Sequence, residues 1–92
     1  IEPEKLGAIG NAYLEKGNQE EALDYFEKAI NADDNAFTTP LYMSKAAFVY
    51  EQMGEYQEAI DLFQKIKRKY PNSAQSQQAD KNIARLKVLA QG

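Results

Sequence analysis

Apolar residues recur along this chain at the three- and four-residue spacing of helices that bury one face. No stretch has the sustained alternation of apolar and polar residues that predicts a strand. The pattern therefore predicts five helices, over roughly residues 4–16, 19–32, 40–53, 56–70 and 74–90. Only one or two residues separate helix 1 from helix 2, and helix 3 from helix 4. Because short connections force neighbouring helices to lie antiparallel, we expect an all-α chain of helical hairpins.

Glycine and small polar residues mark where these helices should begin and end. Gly17 and Gly54 follow helices 1 and 3, where glycine adopts the left-handed conformation without steric cost. Side-chain oxygens at the predicted helix starts should accept hydrogen bonds from backbone N–H groups of the first turn. These predicted N-caps are Asn18, with Glu21 completing a capping box, Thr39 before Pro40, and Asn72 or Ser73.

Two stretches of the chain carry small and aromatic residues at the same offsets. Gly17 and Gly54 lie 37 positions apart, and the other landmarks shift by the same interval. The landmark pairs are Gly10 and Ala47, Tyr13 and Tyr50, Ala22 and Ala59, and Phe26 and Phe63. A shared period of this size predicts stacked copies of one helix-turn-helix unit.

Packing within each unit is predicted from residue size. The small residues (Gly10, Ala22, Ala47 and Ala59) should lie where two helices cross, with the aromatic residues filling the volume beside each crossing. The stripe predicted to be buried on helix 1 comprises Leu6, Ile9, Ala12 and Tyr13. The stripe predicted to be buried on helix 5 comprises Ala79, Ile83, Leu86 and Ala90.

At these residues the chain resembles the tetratricopeptide repeat (TPR) family. The resemblance covers roughly residues 3–36 and 40–73. It implies a right-handed α-α superhelix of two units in one domain, 1–92, closed by a capping helix at about 74–90 or by the start of an uncompleted third unit. Three features depart from the family pattern: Asp34 replaces the terminal proline of unit 1, Gln19 stands where unit 2 has Tyr56, and the junction has three extra residues.

A second likeness concerns origin and compartment. Tyr70-Pro71-Asn72-Ser73 resembles the sequence of a subset of bacterial TPR proteins, many of which work in the cell envelope, some behind an N-terminal membrane anchor. The chain begins at Ile1 without a methionine, so we expect a processed product or a piece of a longer protein. The bacterial cytoplasm and periplasm both remain open. No apolar run approaches the roughly 20 residues that a spanning helix needs, so no membrane insertion by this segment is expected.

The resemblance implies that the first helix of each unit lines a concave groove that binds a peptide or helix of a partner protein. The groove positions carried over from the family are Gly7, Asn11, Leu14, Leu41, Ser44, Phe48, Glu51, Gln78, Asn82 and Arg85. Phe48 could instead pack under helix 5 as ordinary core. The family's carboxylate clamp is not expected, because Gly7 and Phe48 stand where a lysine and an asparagine would be required.

Val88 and Leu89 point away from the predicted buried stripe of helix 5. They either fray at the terminus, form a dimer contact, or pack against the next unit of a longer array. The alternative function is therefore a structural segment of a homodimer or longer array with no separate ligand.

Catalytic chemistry is not predicted. The chain has no histidine and no cysteine, and the adjacent carboxylates Glu20-Glu21 and Asp33-Asp34 have no suitable partner nearby in sequence. Neighbouring helical residues also point apart. We therefore expect a non-enzymatic interaction protein without a cofactor or a metal site.

Charge is unevenly distributed along the chain. The formal net charge of −3 comprises −6 over residues 1–36 and +3 over residues 37–92. This division indicates either two solvated helix faces, head-to-tail self-association, or a partner of mixed charge. The sequence pI of about 4.9 disfavours a nucleic-acid partner.

Overall fold

The computed structural model describes all 92 residues. It contains five α-helices and no strand, which confirms the predicted all-α fold. The helices are α1 (Pro3–Glu15), α2 (Gln19–Ala32), α3 (Thr38–Gln52), α4 (Tyr56–Lys69) and α5 (Ala74–Gln91). None of the five is both long enough and apolar enough to cross a membrane.

The helices form two layers. Each helix packs on the next along the chain, and α3 also contacts α1 and α5. In contrast, no Cα atom of α2 lies within the 8 Å contact distance of α4. One layer therefore comprises α1, α3 and α5, and the other comprises α2 and α4. By the family resemblance, we call the first the inner, concave layer and the second the outer, convex layer. The shortest dimension of the Cα trace is 15 Å, as expected for two helix layers whose axes are about 8–10 Å apart.

The close crossings predicted from residue size are present. Ala22, Ala47 and Ala59 have no exposed surface. A Cβ atom on Gly10 would lie 2.7 Å from the Phe26 ring, so only glycine allows this approach. The buried side chains form one cluster across α1, α2 and α3 and a second across α3, α4 and α5.

Two of the predicted buried stripes need correction. In α1, Ala12 is exposed and Ile9 is half-buried, because α1 is the first helix and nothing packs on that side. The buried residues of α1 are Pro3, Leu6, Gly7 and Gly10. In α5, Ala90 is exposed because α5 has 18 residues and α4 only 14, so the last turn of α5 extends past its neighbour.

The predicted helix caps are only partly right. The Ser73 hydroxyl accepts a hydrogen bond from the Ser76 N–H at 3.1 Å, as expected for the start of α5. Asn18 precedes α2 but makes no side-chain cap bond, so the predicted capping box is wrong.

The start of α3 also differs from the prediction, since it begins at Thr38 and not at Pro40. The Asn35 side-chain oxygen accepts hydrogen bonds from the N–H groups of Phe37 and Thr38, at 2.9 and 2.6 Å. Thr39 is not the cap, because its hydroxyl donates back to the Asp33 carbonyl and accepts from the Asn35 N–H, both at 3.0 Å. An asparagine in the junction thus replaces the threonine as the residue that starts this helix.

Asp34, which stands where the family has a proline, links the two units. Its carboxylate accepts a hydrogen bond from the Tyr70 hydroxyl at the end of α4. This bond is the largest cause that raises the pKa of Tyr70. The polar junction between α2 and α3 is therefore fixed to the end of the second unit by a side-chain contact.

Gly17 and Gly54 have φ angles of 82° and 79°, so both predicted left-handed positions are confirmed. A Cβ atom at either residue would meet nothing within 4 Å, so the cost of a side chain there is purely conformational.

We expect Gly17→Ala to lower the free energy of unfolding by about 1 kcal/mol, measured by urea denaturation. Gly17→Asn should cost less, since asparagine tolerates this conformation better. Equal stability of the alanine variant and the wild type would contradict this account.

Candidate partner-binding surface

Phe48 lies on the inner face of α3 and is 42% exposed. Its ring packs edge-to-face against the Phe63 ring of α4, with centroids 5.6 Å apart and planes inclined by 69°. Part of the Phe48 side chain remains accessible to solvent. The expectation that Phe48 packs under α5 as ordinary core is therefore wrong, because α5 leaves that part of the side chain open.

Two depressions flank this ring. The first, of about 340 Å³, lies between α3 and α5. It is lined by Ser44, Phe48, Phe63, Ala74, Gln75, Gln78 and Asn82. The second, of about 400 Å³, is lined by Phe48, Glu51, Gln52, Tyr56 and Leu89. Because both depressions share Phe48, we treat them as one area and call it the Phe48 surface.

Three predicted groove residues already contact one another across the concave layer. Arg85 of α5 forms an ion pair with Glu51 of α3, and its second guanidinium nitrogen donates to the Asn82 side-chain oxygen at 3.2 Å. Arg85 and Glu51 are both partly exposed. Exposed ion pairs contribute little to stability, so α5 is held in place mainly by its buried residues Ala79, Ile83 and Leu86.

Other predicted groove residues are less open than the sequence suggested. Ser44 is buried, and its hydroxyl donates to the Leu41 carbonyl at 2.8 Å. Leu14 and Leu41 are half-buried against the α1–α2–α3 cluster. Asn11 is half-buried on α1.

Gly7 does not form an open groove position. It is buried, and a Cβ atom there would lie 2.1 Å from the Tyr42 ring. The ring of Tyr42 therefore fills the space beside α1. This burial is also the largest cause that raises the pKa of Tyr42, with Glu4 adding to it. The open part of the concave face consequently lies beside α3 and α5, away from α1.

Val88 and Leu89 are 68% and 41% exposed, but they belong to different surfaces. Leu89 lines the second depression of the Phe48 surface, whereas Val88 lines neither depression. The sequence placed Leu89 with Val88 as a self-association contact and missed its proximity to Phe48. No repeat offset indicates this proximity, because it depends on how far α5 is rotated about its own axis.

The ionisable side chains do not cluster as metal ligands would. No group of three or more carboxylates is placed to hold a metal ion. Burial raises the pKa values of Tyr42 and Tyr50, and the hydrogen bond to Asp34 raises the pKa of Tyr70. The Phe48 surface offers an exposed aromatic ring among amide and carboxylate side chains, an arrangement suited to binding.

Comparison with protein families gives two matches, both to models described as tetratricopeptide repeat. One match covers residues 3–36, and the other covers residues 42–73. Together they span more than two thirds of the chain, on the two helical hairpins α1–α2 and α3–α4. Neither match separates bacterial members from others, so the bacterial likeness stays a prediction.

Proposed function

Since this chain belongs to the tetratricopeptide repeat family, whose repeats generally mediate protein–protein interaction, we propose that it is an adaptor that binds one segment of a partner protein on its concave face. The proposed ligand is an extended peptide or a helix, and it lies across α3 and α5.

The observation that carries this proposal is the exposure of Phe48. Full burial of such a side chain is worth about 1.5–3 kcal/mol, so covering the 42% of Phe48 that is exposed contributes about 0.6–1.3 kcal/mol. Leu89 adds apolar area on one side of the ring. A few residues usually contribute most of the binding free energy of a protein interface, and aromatic residues are common among them.

Polar side chains around the ring supply directional contacts. Gln75, Gln78 and Asn82 line the depression on the α5 side, and their amides can donate to and accept from a peptide backbone. The ligand we propose therefore has an apolar side chain over Phe48 and backbone or amide groups toward α5. The remaining proposed contacts on α3 and α5 are Leu41, Ser44 and Arg85. Asn11 and Leu14 lie on α1 and would contact only a ligand that extends beyond α3.

We expect Phe48→Glu to reduce partner capture at least about tenfold, because a charge replaces the apolar anchor. The measurement is an affinity pull-down from cells of the native organism, with bound proteins quantified against the wild-type chain. Phe37→Glu is the matched control, since Phe37 is 85% exposed in the α2–α3 junction and lines neither depression. Equal capture by wild type and Phe48→Glu, or equal loss with Phe37→Glu, would argue against the concave site.

A further inference from the structure

The convex face carries a groove that the proposed adaptor function does not use. It lies between α2 and α4, whose Cα atoms nowhere come within 8 Å of each other, and α3 forms its floor. Its volume is about 270 Å³. The apolar residues that line it are Leu23, Ile30, Ala46, Tyr50 and Leu62.

Carboxylates line both walls of this groove. Glu27 projects from α2, and Glu58 and Asp61 project from α4. None of the three forms an ion pair, because the two ion pairs of the molecule are Lys67–Asp80 and Arg85–Glu51. Lys65 is the one basic residue that lines the groove.

The pKa of Tyr50 reports the same concentration of negative charge. Burial is the largest cause that raises this pKa, and four carboxylates raise it further. These carboxylates are Glu27, Glu58, Glu55 and Asp24. The groove thus combines an apolar floor with walls that favour a cationic ligand.

The outward face of α5 has the complementary pattern. Residues 84 and 88 lie on the side of α5 opposite its buried residues, and both Ala84 and Val88 are exposed. At 100° per residue, Lys81 and Lys87 fall on either side of this apolar strip, and both are exposed. Asp80, the only acidic residue of α5, is paired with Lys67. This end of the chain therefore presents an apolar strip between two free ammonium groups.

We propose that the convex groove of one copy binds the outward face of α5 of a second copy. Val88 enters the apolar floor, and the lysines on either side of it face the carboxylates of the two walls. The groove and the outward face of α5 are different surfaces, so an open assembly always has a free groove at one end and a free α5 face at the other. It therefore grows as a chain, or closes as a ring when these two ends bind each other.

This inference stands apart from the concave site, since Val88 lines neither depression of the Phe48 surface. Sedimentation equilibrium of the 92-residue chain should show a weight-average mass that rises with concentration up to about 0.5 mM at low salt. About 0.5 M sodium chloride should lower that mass toward the monomer, because salt screens the charge contacts. Phe48→Glu should assemble like the wild type.

Two variants test the geometry directly. Glu58→Lys with Asp61→Lys blocks the groove, and Val88→Gln removes the apolar anchor from α5. Each variant alone should associate at least about tenfold more weakly than the wild type. Mixed one to one, they should form a heterodimer that stops at two copies, because one variant retains the helix face and the other retains the groove. Glu2→Lys with Glu15→Lys makes the same change in net charge outside the groove and should assemble normally.

Three results would overturn the proposal. The first is a chain that stays monomeric at every concentration in low salt. This result would overturn the proposal even if the groove of the monomer bound a lysine-rich peptide from another protein. The second is an assembly that the groove variant leaves unchanged, which would indicate a contact between two α5 helices. The third is a mixture of the two variants that remains monomeric while circular dichroism shows both to be folded.

Discussion

Replacing Phe63 with alanine is expected to lower the free energy of unfolding by about 3–5 kcal/mol, the usual cost of removing a buried phenylalanine ring. Phe63 is 1% exposed and belongs to the cluster that joins α3, α4 and α5. Its ring also packs edge-to-face against the ring of Phe48. Domains of this size are stable by only about 5–15 kcal/mol, so the loss would be a large fraction of the total.

Urea denaturation followed by circular dichroism measures this change, with the midpoint and slope compared between variants. Phe26→Ala should give a similar loss, because Phe26 is the equivalent residue of unit 1 and is fully buried. Phe37→Ala removes the same ring from an exposed position and should change stability by less than about 0.5 kcal/mol. A loss below about 1.5 kcal/mol for Phe63→Ala would contradict the packing described for the second cluster.

The equivalence of Phe26 and Phe63 illustrates what the sequence could predict. Packing inside one helical hairpin depends on a short turn and on offsets of three and four residues, and both are visible in a single repeat. The small residues at the crossings and the aromatic residues beside them were therefore placed correctly. The number of helices and their pairing follow from the same local signals.

Contacts between units were harder to predict, because they depend on the junction and on the rotation of each helix. The three extra junction residues place Asn35 where it starts α3 earlier than Thr39 would. Leu89 lines the same depression as Phe48, although the two residues were assigned to separate surfaces. The convex groove could not be found at all, since its floor and walls come from three helices whose spacing no repeat offset encodes.

Gly7 is the clearest example of a contact between units that the sequence did not predict. The family offsets made Gly7 a groove residue, but the ring of Tyr42 occupies the space beside it. Tyr42 belongs to the second unit, so its contact with Gly7 joins the two units. The ring of Tyr42 is itself buried and stacks on Phe26, with centroids 6.2 Å apart. A side chain at residue 7 would therefore disturb the interface between units and not a binding site.

We expect Gly7→Ala to lower the free energy of unfolding by about 1–2 kcal/mol, because so close a clash should cost about 2–3 kcal/mol, the upper part of the overpacking range, before the gain in helix propensity is subtracted. The added Cβ would lie 2.1 Å from the Tyr42 ring, so the ring must leave its stacked position. Alanine favours a helix over glycine by about 1 kcal/mol, and this gain only partly offsets the clash. Ala8→Gly, at the exposed neighbouring position, measures that propensity difference separately in the same helix.

A double-mutant cycle with Tyr42→Leu isolates the clash from the propensity gain. Leucine lacks the ring atoms that an alanine at residue 7 would meet, so Gly7→Ala should be neutral or stabilising by up to about 1 kcal/mol in the Tyr42→Leu background. Urea denaturation of the four proteins should then give a coupling energy above about 1 kcal/mol. The same effect of Gly7→Ala in both backgrounds would mean that Tyr42 does not limit residue 7, and the position would again be open to a ligand.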